Sequence, residues 1–147
     1  MSAQKSGRQY LLFRLANNLF GTEIRDIKRI LPLDIVYKVP LAKPYYEGII
    51  RFENRAIPLF NLREAMGGKA SGGEHLIVVE EIEGEDIGLL IGNVKTVVRI
   101  DDSEAVAYEG LIPGIKKSVA WEGKEVYLLD AGAVILSATE DDGADGG

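Results

Sequence analysis

The sequence predicts a mainly β chain organised as two similar small units that carry short helices. Three observations point there. Apolar residues fall in runs of about four to eight separated by turn formers, the pattern of short strands rather than of long amphipathic helices. A breaker at Met66-Gly67-Gly68-Lys69-Ala70-Ser71-Gly72-Gly73 holds four glycines in eight residues and divides the chain near its middle. The segments on either side also repeat each other. Gly21, Ile24, Ile27 and Ile30 recur 67 residues on as Gly88, Ile91, Val94 and Val97. Phe52-Glu53-Asn54-Arg55 recurs 69 residues on as Trp121-Glu122-Gly123-Lys124, and Ile57, Leu59, Phe60 and Asn61 recur at that same spacing as Val126, Leu128, Leu129 and Asp130. A duplicated supersecondary unit accounts for the aromatic, turn and cap positions together.

Taken in order, Tyr10 to Leu15 and Leu19 to Ile24 read as strands around an Asn17-Asn18 turn. Ile24 to Leu31 has isoleucines three residues apart with charges between them, which predicts a helix. Gly48 to Phe52 and Ala56 to Phe60 form a hairpin through Glu53-Asn54, and Asn61 is placed to cap a short helix over Leu62 to Met66. The second half offers strands at Leu76 to Ile82, Asp86 to Ile91, Val94 to Ile100, Ser118 to Trp121 and Glu125 to Leu129, with Asp130 capping a helix over Ala131 to Leu136. Ile91 to Val98, the counterpart of the expected helix, is extended because it carries Gly92, Thr96 and further β-branched residues. Each unit of about 65 residues buries too little surface alone, so the halves are expected to share an interface. Met1 to Gly7 and the stretch 138–147 are read as mobile, the latter as a disordered acidic tail.

The totals exclude several function classes. At 147 residues and 46% apolar content the chain fits one compact domain. The net charge of −6 comes mainly from Glu140, Asp141, Asp142 and Asp145; without them 19 acids face 17 bases. That balance offers no basic surface for a nucleic-acid backbone. There is no cysteine, so disulfides and thiolate sites are absent. The apolar run Tyr10 to Phe13 is interrupted by Arg14, and no uncharged stretch approaches the roughly 20 residues of a membrane span. The chain is expected in the cytoplasm, without direct membrane insertion.

A search for chemistry yields little. The single histidine, His75, opens an apolar strand with no serine elbow nearby and reads as a surface or edge residue. The central glycines match no phosphate-binding loop. Acids cluster at Glu80, Glu81, Glu83, Glu85 and Asp86, but without the alternation of a calcium loop. Glu83-Gly84-Glu85-Asp86 reads as a solvated hairpin tip. No catalytic residue, metal site or cofactor is expected, and what remains is apolar surface suited to other proteins.

The run Phe13 to Leu31, Val39-Pro40, and then Gly48-Ile49-Ile50-Arg51-Phe52-Glu53-Asn54-Arg55-Ala56-Ile57-Pro58-Leu59-Phe60-Asn61-Leu62-Arg63 resembles the CheW-like chemotaxis coupling proteins over about residues 9 to 137. The resemblance implies two SH3-like five-stranded β-barrels, the first over about 10–66, a glycine linker at 67–73 and the second over about 74–137. It also implies a non-catalytic adaptor in a chemosensory array. The partners would be the cytoplasmic helical hairpin of a chemoreceptor and the regulatory domain of a CheA-type histidine kinase, with recruitment to membrane receptor arrays. A second possibility is an interaction module of an auxiliary signalling system with another partner. Residue by residue, the receptor groove maps onto Ile27, Ile30, Leu76 and Val97. Beside it, a helix acid and a strand arginine of the family are replaced by Arg29 and Glu53, which implies an ion pair of reversed polarity.

Overall fold

The computed structural model describes residues 7–39, 44–67 and 74–146; the chain start through Ser6, Pro40 and most of the glycine-rich breaker lie outside the described residues. The elements are β1 (Arg8–Leu15), β2 (Asn18–Glu23), a 3-10 turn (Ile24–Asp26), β3 (Ile27–Pro32), β4 (Tyr46–Phe52), β5 (Arg55–Asn61) and α1 (Leu62–Ala65). There follow β6 (Leu76–Ile82), β7 (Glu85–Ile91), β8 (Val94–Ile100), a 3-10 turn (Asp102–Glu104), β9 (Val106–Ala107), β10 (Lys117–Trp121), β11 (Lys124–Leu128) and α2 (Ala131–Gly146). The fold is mainly β, in two sheets.

Four hairpins turn on paired left-handed residues: Ala16-Asn17, Glu53-Asn54, Glu83-Gly84 and Glu122-Gly123, all with positive φ. Two such residues in succession twist the backbone to match the right-handed twist of the strands they join. The first turn sits one residue earlier than the sequence suggested. Asn61 Oδ1 accepts from the Glu64 amide at 3.1 Å and Asp130 Oδ1 from the Ala133 amide at 3.1 Å, so equivalent side chains cap α1 and α2.

The strand order is β8-β1-β2-β11-β10-β9 in one sheet and β3-β6-β7-β5-β4 in the other. This corrects the expected division into consecutive barrels over 10–66 and 74–137. Under the repeat, β1 corresponds to β6, β2 to β7, β3 to β8, β4 to β10 and β5 to β11. Each barrel therefore contains the hairpin of one half and three strands of the other, the six-stranded sheet adding the two-residue β9. The registers agree residue by residue. Leu59 faces Gly88 across the parallel β5–β7 pair, and Leu128 faces Gly21 across the parallel β11–β2 pair. Both glycines sit where a Cβ would come within 2.9 Å of a branched side chain, Leu12 at Gly21 and Ile77 at Gly88.

The exchange leaves three apolar clusters. Ile50, Phe52, Ile57, Leu59, Ile77 and Val79 fill the five-stranded barrel. Tyr10, Leu12, Leu19, Val119 and Val126 fill the other. The third and largest lies between the sheets, where Leu11, Phe13, Leu15 and Phe20 meet Phe60, Val78, Ile87, Leu89 and Ile91. Strands β1 and β7 are buried on both faces, alternate residues serving a barrel interior and the shared core, which is why they read as unbroken apolar runs.

The helix expected over Ile24 to Leu31 is not formed. After one 3-10 turn the chain enters β3, which pairs with β6 with a bulge between Ile27 and Arg29. Ile27 opposes Glu80 and Ile30 opposes Val78, so the bulge at Lys28 puts residues three apart on one strand face. A bulged strand thus imitates helical spacing. The counterpart bulge in β1–β8 does the same for Val94 and Val97, which oppose Phe13 and Leu11. The other end of the chain is also corrected: α2 runs to Gly146 instead of giving way to a disordered tail at 138. A helix nucleated by the Asp130 cap and the burial of Ala131 and Val134 extends at low cost per residue.

Candidate protein-interaction surface

β3 and β8 are the outer strands of their sheets, and each presents apolar side chains beyond the shared core. Ile30 is 42% exposed although its ladder partner Val78 is fully inside, and Val97 is 47% exposed opposite buried Leu11. These are equivalent positions on the two barrels. Ile27 and Leu76 are half-buried and pack against the inter-sheet cluster. Leu76 pairs with Pro32, so Ile27, Ile30 and Leu76 share one face of the β3–β6 ladder. Val97 belongs to the other sheet, and no ladder joins β3 to β8. The structure thus groups three of the four candidate residues and places the fourth at the related edge. Val94, 37% exposed, is an addition that the sequence reading missed, although it is the repeat partner of Ile27.

Arg29 lies on the opposite face of β3. Its Nη2 is 3.2 Å from Glu53 Oε2 in the β4–β5 turn, with both side chains about half exposed. Its guanidinium also lies 5.6 Å from the centre of the Phe52 ring, and that of Arg55 lies 5.8 Å from it. Because β3 and β4 are the two ends of the five-stranded sheet, this contact bridges the gap that backbone hydrogen bonding leaves open.

A second tie closes the other side. Asp86, expected at a solvated hairpin tip, is buried instead, and it accepts from Lys28 Nζ at 2.8 Å and from Arg55 Nη2. The hydrogen bonds from Lys28 and Arg55 hold its carboxyl below the usual carboxylate range. Only Glu81, Glu83 and Glu85 of that acidic stretch are exposed. Glu80 is buried, its Oε2 accepting from Thr22 Oγ1 at 2.7 Å across the two sheets. The signal for this was present, since Glu80 is two residues from Val78 and shares its face.

A further exposed strip follows β3, where Leu33, Ile35, Tyr37 and Val39 are all exposed at a two-residue period. Tyr37 and Ile49 exchange backbone hydrogen bonds of 2.9 Å at the β4 edge. Its repeat counterpart is Val106 opposite Ser118, 69 residues on, and Val106 is exposed too. His75 is exposed at the start of β6. Among the described residues no group of three or more acidic or histidine side chains is placed to hold a metal ion, and no helix is long and apolar enough to cross a membrane. The arrangement offers apolar edges framed by ion pairs, which is the chemistry of protein recognition.

Comparison with known proteins agrees with this architecture. Chemotaxis protein CheW of Treponema pallidum is 30% identical over 115 residues, covering 73% of this chain and 66% of that protein. Chemotaxis protein CheW of Thermotoga maritima is 23% identical over 139 residues, 92% of each chain. The crystal structure of the scaffolding protein TtCheW from Thermoanaerobacter tengcongensis superposes with a TM-score of 0.83 over 91% of both chains at 21% identity, a likeness of fold. Residues 9–139 match the CheW-like domain, and this chain belongs to that family.

Proposed function

We propose that this chain is a non-catalytic cytoplasmic adaptor that couples the signalling tips of chemoreceptors to a CheA-type histidine kinase in a membrane-associated chemosensory array. The observation that carries the reading is the pair of apolar edges at equivalent positions, exposed Ile30 beside half-buried Ile27 and Leu76 on one barrel and exposed Val97 on the other. An amphipathic helix of a receptor hairpin presents apolar side chains every three to four residues, and such an edge rimmed by polar groups is a fitting seat for it. The kinase regulatory domain would take another face of the same rigid frame.

The reversed ion pair supports a second reading, an interaction module of an auxiliary signalling system. Arg29 and Glu53 stand where the family pattern carries an acid and an arginine, so the local field beside the edge is inverted. Inversion rejects a partner charged to suit the usual order. Co-sedimentation with a receptor cytoplasmic fragment and with a kinase regulatory domain tests both readings. Binding to both is the expected result; binding to the kinase domain alone would favour the auxiliary role, and binding to neither would overturn the adaptor reading.

A further inference from the structure

Glu80 is 4% exposed, and its ladder partners are the apolar Ile27 on one side and Ile87 on the other. Its hydrogen bond comes from Thr22 of β2, in the opposite barrel. It lines a cavity of about 610 Å³ with Glu23, Asp26 and Asp130. The nearby arginines are engaged by other acids. Arg8 lies 3.0 Å from Glu23 and 3.6 Å from Asp102, and Arg25 Nε lies 2.9 Å from Glu23 Oε1. Lys116 and Lys117 line the cavity from the start of β10 and Glu81 and Glu83 from the end of β6, Glu81 itself lying 3.5 Å from Lys28. Among the described residues no basic side chain lies within ion-pair distance of Glu80.

We propose that Glu80 is a proton-controlled latch between the barrels: neutral, it holds β6 against β2 and the Ile24–Asp26 turn, and ionised, it is repelled by Asp26 and Asp130 and loosens that contact. Burial is the main cause that pushes this carboxyl up to about 7, with the Thr22 hydrogen bond opposing and Asp26 and Asp130 adding to the rise. The proton therefore leaves in the range where cytoplasmic pH varies, whereas an ordinary glutamate stays ionised throughout it. Ile27, at the proposed receptor edge, is a ladder partner of Glu80. Any effect on receptor binding rests on the role proposed above, whereas the titration is a property of the isolated chain.

The test is carboxyl-carbon NMR titration of the glutamates in the intact chain, with Glu80→Gln assigning the signal. A Glu80 midpoint near neutrality is expected, lowered by Asp26→Asn and raised by Thr22→Val. These two variants keep the test open should Glu80→Gln fail to fold. Hydrogen exchange then reads the latch itself. From pH 6 to pH 8, protection factors of β6 and β2 amides should fall about tenfold in the wild type, if the opened state ionises like a free glutamate. They should stay level in Glu80→Gln. A Glu80 midpoint in the ordinary carboxylate range, or the same loss of protection in Glu80→Gln, would overturn the proposal.

Discussion

Replacing Glu80 by glutamine should change how stability depends on pH more than stability itself. The folded carboxyl titrates at about 7 against an ordinary value of 4.5. A raised carboxyl pKa means that the folded chain holds its proton where the unfolded chain has lost it. Stability therefore falls as pH rises from about 4.5 to about 7, and the cost is constant above that. The ionisation polynomials of the two states put the cost at roughly 1 kcal/mol at pH 5 and roughly 3 kcal/mol at pH 8. Glutamine has no proton to lose, and the other titrating groups are common to both proteins. The stability difference between variant and wild type should thus move by roughly 2 to 3 kcal/mol in favour of the variant from pH 5 to pH 8. Urea unfolding reads this as a relative midpoint shift on the order of 1 M or more. Two pH profiles that run parallel would refute the reasoning, because the carboxyl would then carry none of the pH dependence.

Four other outcomes are expected. Ile30→Asp should weaken receptor-fragment binding at least tenfold while thermal melting stays near wild type, since the residue is 42% exposed. Arg29→Glu and Glu53→Arg should each cost about 0 to 1 kcal/mol, and the double reversal should recover most of it in a denaturation cycle. Gly88→Ala should cost roughly 1 to 3 kcal/mol by urea unfolding, because the new methyl group meets Ile77 at 2.9 Å and Ile50 at 3.2 Å. Residues 1–67 and 74–147 made as separate chains should each lack cooperative unfolding, and mixing them should restore it; an independently cooperative half would contradict the exchange.

The repeat was legible down to register. The 67-residue spacing of Gly21 and Gly88 and the 69-residue spacing of Leu59 and Leu128 meet in two identical parallel contacts. Turn positions were legible to within one residue, because turn-forming pairs act locally; only the first, at Ala16-Asn17, was read one residue late. What stayed hidden was non-local. Nothing within β6 says that, besides β7 of its own half, it will pair along its other edge with β3 of the first half. The bulge at Lys28 gave Ile27 and Ile30 a helical spacing that only the β6 ladder resolves as strand. Glu80 and Asp86 were grouped with their exposed neighbours because charge outweighs alternation when a turn is near. Ile30 and Val97 were reachable through the family resemblance, and their exposure follows from a strand edge that composition does not reveal.

The exchange of hairpins also constrains how such a chain can act as a coupler. In two barrels folded from consecutive halves, the link would be a single glycine-rich strand of backbone, and the barrels would tumble independently. Here each barrel is completed by the other half, through the β1–β8 and β3–β6 ladders and the parallel β2–β11 and β5–β7 pairs. Relative motion of the halves must break main-chain hydrogen bonds or shear the buried cluster of Phe13, Phe20, Phe60 and Leu89. Under the role proposed above, two partners bound at different edges would be held at fixed separation and angle by the core the two sheets share. The polar exception in that interface, Thr22 against Glu80, is consequently the place where a small free-energy change can alter the fit of one barrel to the other.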